Sequence, residues 1–356
     1  MRSPARIAAD WIIAAKASPP SATVRSSPLF RPCLRGADAA SRRHAAPARQ
    51  NFVLWIVVDL WTNRLAEREV VLIGYDAVIV MTRLEIRPLH PSLGAEIIGV
   101  DLGKPVDVTT RQALSRALAD HLALVFRDQT LTPVQYLAAA SVFGPPMEQH
   151  YSQHNMPDFP LIGLIWHRNG QQPAEQWHTD HTNRERPPSA TILYGVEIPS
   201  AGGGTSVANM RAAYAALPAA ERRRLDGLTT FNSLDSGRTD TRQEDRDKYA
   251  KPIEHPMVRT HPVHGSRAVY FHISKTTHIS GMAAEASRAY MADLLERMIR
   301  PEIVYHHAWR KGDVLVIDDR ATMHRAHGDY DRQQSRVLWR IIVEGDRPRL
   351  DRPRPV

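Results

Sequence analysis

Between residues 84 and 343 the apolar residues come in short runs, and nothing else in the chain limits its fold as strongly. Leu84 and Ile86 alternate with polar neighbours, and strand-like runs follow at 93–102, 122–126, 161–165, 189–198, 205–208, 257–261, 267–272, 302–307, 313–317 and 336–343. Helical spacing occupies 110–121, 132–142, 209–216, 219–226 and 283–299. Asp107 or Thr109 can cap the first helix, and Thr132-Pro133 opens the second. Residues 234–256 are polar with few apolar anchors and read as a mobile loop or lid. Strand and helix do not alternate regularly and no segment repeats, so a doubly wound parallel sheet is excluded. The pattern predicts a mostly β protein with flanking helices, its core a sandwich or barrel of jelly-roll type (a double-stranded β-helix).

The net charge of +8 suggests nucleic acid until it is located. Residues 1–50 hold nine basic residues against two acidic ones, which accounts for +7 of it. The remainder is near neutral, so no nucleic-acid partner is expected. The single cysteine, Cys33, rules out an internal disulfide framework and a cysteine zinc site and fits a reducing, cytoplasmic setting. Residues 52–58 and 70–80 are apolar, but Asp59 and Asp76 interrupt them, and neither is long enough to span a bilayer. The Ala-, Ser-, Pro- and Arg-rich front reads as disordered, or else as an organelle transit peptide. The style changes at Met81. The expected organisation is therefore an extension over 1–80 with no role in the fold, one domain over 81–347, and a tail over 348–356.

Within that domain stands Gln176-Trp177-His178-Thr179-Asp180. On an extended strand His178 and Asp180 face the same way. One imidazole and one carboxylate suit a divalent first-row metal, and a second His would complete a facial triad with open positions. His306, His307, His324 and His327 all lie near strand ends and are candidates. Arg336 and Arg340 share a face of an apolar strand. They read either as solvent-facing residues of an edge strand or as buried guanidinium groups that need an anion.

Further motifs stand in order: Pro187-Pro188, Gly202-Gly203-Gly204-Thr205, Val258-Arg259-Thr260-His261-Pro262, Trp309, Gly312-Asp313, and Asp318 through His324. With Trp177–Asp180, Arg336 and Arg340, they make residues 82–347 resemble the TauD/TfdA family of Fe(II)- and 2-oxoglutarate-dependent dioxygenases. The resemblance implies iron on His178, Asp180 and His324, and the distal carboxylate of 2-oxoglutarate on Thr205 and Arg336. It places Arg340 where an anionic substrate group would be gripped, and His150 and Tyr151 where the substrate pocket begins. The implied reaction uses O2 to hydroxylate a small organic anion (a sulfonate such as taurine, a sulfate ester or an aryloxyalkanoate), releasing succinate and CO2. A homo-oligomer without a membrane partner is expected. Four positions depart from the family pattern: Ile317 replaces Trp, Asp319 replaces Asn, Gly204 replaces Asp, and His272 replaces Asn. A non-catalytic ligand-binding member and a zinc hydrolase on the same ligands are the alternatives; the hydrolase lacks a His-Glu-x-x-His motif.

Overall fold

Ile192 and Leu193 are neighbours in one strand, yet they bury into different hydrophobic cores. That period-two alternation organises the molecule. The computed structural model describes residues 57–60, 69–74, 77–82, 84–169, 173–234, 242–249 and 251–351. In chain order the strands are β1 (Val57–Leu60), β2 (Glu69–Gly74), β3 (Ala77–Thr82), β4 (Glu85–Pro88), β5 (Ala95–Ile98), β6 (Ala123–Phe126), β7 (Pro146–Met147), β8 (Asn155–Met156), β9 (Phe159–Trp166) and β10 (Ala190–Glu197). They continue as β11 (Thr205–Asn209), β12 (Thr229–Asn232), β13 (Ile253–Pro256), β14 (Val258–Thr260), β15 (Arg267–Val269), β16 (Thr276–Ile279), β17 (Val304–His307), β18 (Val314–Asp318), β19 (Thr322–Ala326) and β20 (Val337–Val343). The α-helices are α1 (Val108–His121), α2 (Pro133–Ala140), α3 (Met210–Ala216), α4 (Ala219–Asp226), α5 (Gln243–Lys248) and α6 (Ala284–Met298).

The large sheet runs β4-β5-β6-β18-β10-β20-β9-β8, with β7 also on β20. Only its β5–β6 pair is parallel. Its inner face, with Leu193, Leu315, Ile317 and Leu338, shares a core with Val207, Tyr305 and Met323 of the small sheet β17-β11-β19. The two layers form a jelly roll. On the outer face Ile192, Val314, Val316 and Ile341 pack against Leu114 and Leu118 of α1 and Tyr136 of α2. The central strands are buried on both faces: every residue of β6 and of β18 is buried. They therefore read as continuous apolar runs rather than alternating ones.

Local chemistry sets the helix ends. Asp107 caps α1 by accepting from the Thr110 N–H at 3.0 Å, and Leu122, at φ 64°, turns the chain into β6. Thr132 and Gln135 form a reciprocal capping box on α2, with Pro133 in its first turn.

Several outlines differ from expectation. The strand expected over 93–102 is only Ala95–Ile98, because Gly99 takes a left-handed φ of 85° and ends it. The stretch 234–256 contains structure: α5, then β13 paired to β12. Asp245 of α5 holds it down by accepting from the Ser152 hydroxyl at 3.0 Å. Residues 235–241 and 250 lie outside the described residues. Strands β7, β8, β12, β16 and β19 carried no clear apolar signal. In the region expected to be an extension, β1, β2 and β3 pair with one another as a separate antiparallel sheet, and the expected boundary at residue 81 falls inside β3. Residues 1–56 lie outside the described residues. The expected tail is bound through residue 351, where the Asp351 N–H donates to the Thr260 hydroxyl at 2.9 Å.

Candidate active site

His178 does not sit on a continuous strand. It forms a single antiparallel bridge with His324, and a turn follows at once. The His178 N–H donates to the His324 carbonyl at 3.1 Å, and the His324 N–H donates back at 2.7 Å. Two imidazoles distant in sequence are thereby clamped side by side, with ring centroids 4.4 Å apart. Asp180 reaches the same point from the turn, with its Oδ1 4.0 Å from His178 Nε2. One ligand atom from each of His178, Asp180 and His324 lies within 4.8 Å of the others, and all three residues are buried. Among the described residues this is the only such group of three. His306 and His327 instead both contact the Ser206 hydroxyl, at 3.1 and 2.8 Å. His307 is buried against Asp313.

The donor set fits a divalent metal. His178 Nδ1 lies 2.8 Å from the Gln176 carbonyl. It must donate there, which leaves the Nε2 lone pair for a metal. Burial lowers both ligand imidazoles, His324 to about 3 with His178 as a further cause, so both rings are neutral as ligands must be. Burial pushes the Asp180 carboxyl up, but the Arg340 guanidinium and the Thr191 hydroxyl act against it and hold the group ionised, below the usual carboxylate range.

Behind Asp180, the Thr191 hydroxyl is 2.7 Å from Asp180 Oδ2 and 2.7 Å from Asp319 Oδ2. A hydroxyl has one proton, so only one carboxylate can accept it. Burial, and then the charge of Asp180, pushes Asp319 well above the usual carboxylate range. The chain of donors therefore runs from protonated Asp319 to Thr191 to ionised Asp180. Asp319 is neutral, as the family's Asn would be.

Beside the triad opens a cavity of about 440 Å³, lined by Tyr151, Glu175, His181, His272, Lys275 and Arg340 among others. Arg340 Nε donates to the Gln149 side chain at 2.8 Å, and its Nη1 lies 3.7 Å from Asp180. Tyr151 lies against Lys275, whose Nζ is 5.2 Å from the Tyr151 ring centre. His272 Nδ1 accepts from the Ser274 and Lys275 backbone N–H groups, both at 3.2 Å. An Asn side chain would serve that turn in the same way. His150 is not in the lining: it is fully buried behind His181.

Thr205 directly follows the glycine-rich turn 202–204 and Arg336 packs against that turn, both outside that lining. The Thr205 hydroxyl accepts from Trp309 Nε1 at 3.0 Å. Arg336 is buried and donates Nε–H to the Gly203 carbonyl at 2.8 Å. Its Nη2 is buried without a hydrogen-bond partner, a state that an anion would relieve. Gly203, at φ 67°, admits this approach, since a Cβ there would lie 3.0 Å from the Arg336 side chain.

Sequence reasoning missed Thr191, His181 and Lys275. Thr191 had a signal, as a polar residue on the inward parity of the apolar strand β10. His181 and Lys275 had none, because turns have no period.

A jelly roll with a buried His–Asp–His triad at the mouth of a polar cavity defines a mononuclear non-haem metal dioxygenase. The family described as taurine catabolism dioxygenase TauD, TfdA matches residues 85–342, and the chain belongs to it. It is 32% identical over 283 residues to the alpha-ketoglutarate-dependent sulfate ester dioxygenase of Pseudomonas putida, covering 74% of this chain and 91% of that one. It is 30% identical over 281 residues to the alpha-ketoglutarate-dependent 2,4-dichlorophenoxyacetate dioxygenase of Cupriavidus pinatubonensis, covering 73% and 97%. The crystal structure of a taurine dioxygenase from Burkholderia xenovorans superposes with a TM-score of 0.65 at 33% identity, covering 74% of this chain and 90% of that one.

Proposed function

We propose that this chain is an iron(II)- and 2-oxoglutarate-dependent dioxygenase that hydroxylates a small organic anion of the sulfate ester, sulfonate or aryloxyalkanoate kind. The observation that carries the reading is the buried triad opening on a cavity with Arg340 in its wall. His178, Asp180 and His324 would hold the iron. When bound, iron and 2-oxoglutarate supply O2 activation and two electrons, the cosubstrate leaving as succinate and CO2.

The rest of the chemistry belongs to this chain. Thr205 already accepts from Trp309, so its own proton is available to a carboxylate. Arg336 adds the unpartnered Nη2, and together they would grip the distal carboxylate of 2-oxoglutarate. Arg340 has Nε committed to Gln149, which aims its terminal nitrogens at the cavity for the substrate's acid group. Thr191 holds Asp180 in orientation. Holding the reacting C–H near the triad is the protein's main contribution to rate.

The test is succinate release from 2-oxoglutarate by anaerobically iron-loaded protein on admission of air, with taurine, alkyl sulfonates, alkyl sulfates and aryloxyacetates. A strong response to one member supports the class and names the substrate group. No succinate with iron demonstrably bound would refute the reading.

A further inference from the structure

We infer that Arg184 and His150 fix His181 in its Nε2–H tautomer, making His181 a neutral hydrogen-bond donor to the substrate's acid oxygens. The donor role rests on the anionic substrate proposed above.

Arg184 Nε lies 3.0 Å from His150 Nε2. A guanidinium nitrogen can only donate, so His150 Nε2 carries a lone pair and the ring proton sits on Nδ1. His150 Nδ1 and His181 Nδ1 are 2.5 Å apart. His150 supplies the proton of that contact, so His181 Nδ1 accepts and its own proton sits on Nε2. The relay is held from behind. Arg184 Nη2 donates to the Glu148 carbonyl and, at 3.0 Å, to the Tyr249 hydroxyl. The Tyr249 ring packs edge-on against His150, with centroids 4.2 Å apart.

Two further observations point from the relay to the cavity. His181 lines it with Arg340 and Lys275, whereas His150 does not. His181 also stands at φ 48°, a left-handed conformation that side chains with a Cβ adopt rarely. The turn thus bends away from Asp180 directly at the residue that joins the relay to the cavity. Beside two cations, a neutral N–H adds a donor for a multi-oxygen anion without adding a third charge. His150, expected to contact substrate, is on this view a positioning residue that acts through His181.

The test uses the full chain in two ways. Long-range ¹H–¹⁵N correlation spectra of ¹⁵N-histidine-labelled protein read each ring's tautomer without any ligand. The expected result is Nε2–H for His181 and Nδ1–H for His150, with His181 released to a mixture in His150→Phe. Calorimetric titration with hexyl sulfate and with 2,4-dichlorophenoxyacetate reads the donor role. His181→Phe should weaken binding about tenfold. His181→Asn, which tolerates the left-handed backbone and keeps an N–H, should stay within about threefold. Cobalt(II) binding and thermal unfolding of each variant report an intact triad and fold. A wild-type His181 in the Nδ1–H form overturns the relay. Equal binding by His181→Phe and wild type overturns the donor role. Wild-type binding of neither anion overturns the anionic reading of the site and the donor role with it, while the tautomers still decide the relay.

Discussion

Thr191→Val removes one hydrogen-bond donor and little volume from a residue with no exposed surface. In the wild type its hydroxyl proton goes to Asp180, and it accepts from Asp319, both at 2.7 Å. Losing a bond to an ionised partner costs about 1.5–3 kcal/mol, and the Asp319 proton is left without an acceptor as well. Part of that loss is felt by the folded chain with or without a metal, and part by the carboxylate as a ligand. Comparable outer contacts to ligands change metal affinity by about 10- to 100-fold, so the same loss is expected here. Titration of metal-free protein with cobalt(II) measures it, because the visible spectrum reports ligand number directly. Asp319→Asn serves as the control: if Asp319 is already neutral, an amide donor keeps the contact and affinity should stay within about threefold. Undiminished affinity in Thr191→Val would refute the role given to the hydroxyl. A large loss in Asp319→Asn would refute the protonated state of Asp319.

Three other outcomes are expected. His178→Ala or Asp180→Ala should abolish iron-dependent succinate release while unfolding stays cooperative; full activity in either would remove it from the ligand set. Arg336→Ala should raise the 2-oxoglutarate KM by about 30-fold or more, since a buried charged pair of this kind is worth about 2–5 kcal/mol; an unchanged KM would move the role to another cation. Metal-free protein should lose stability on acidification. Burial holds His324 down at about 3 and His255 at about 4, so between 6.5 and those values only the unfolded chain binds the proton and stability falls with pH. Asp319, raised by burial, acts in the opposite direction, while His150, His181 and His272, also lowered by burial, reinforce the loss. The net change from pH 7 to 5 should be at least about 1 kcal/mol, read from urea midpoints. A midpoint that rises toward pH 5 would contradict it.

The layers were legible in the sequence where both faces of a strand are buried, as in β6 and β18, because burial on two sides leaves an unbroken apolar run. They were illegible where a strand is two to five residues of mixed character: β19 carries His324 between Met323 and Arg325, and its strand state comes from pairing with β11. The His178–Asp180 pair was visible as a motif, but the strand inferred for it is a single bridge and a turn, so its convergence comes from His324 across the bridge. Parity put Arg336 and Arg340 on one face but left open whether that face meets solvent; the fold buries Arg336 and sets Arg340 in the cavity wall. Residue 150 was read as a contact because its position along the chain is right; only the fold shows that a second imidazole stands in front of it.

The reciprocal backbone bonds between His178 and His324 have a consequence for how the ion comes and goes. Bringing positions 178 and 324 together from a free chain carries a loop-closure cost of about 4 kcal/mol. In small zinc domains the ion itself must supply such a term, and stripping the metal unfolds them. Here the folded sheets supply it instead, since His324 is fixed on β19 by pairing with β11 and His178 is bonded to it across the bridge. The ligand pair is thus held together by the chain's own backbone bonds rather than by the ion alone, and protein stripped of metal by a chelator is still expected to unfold cooperatively.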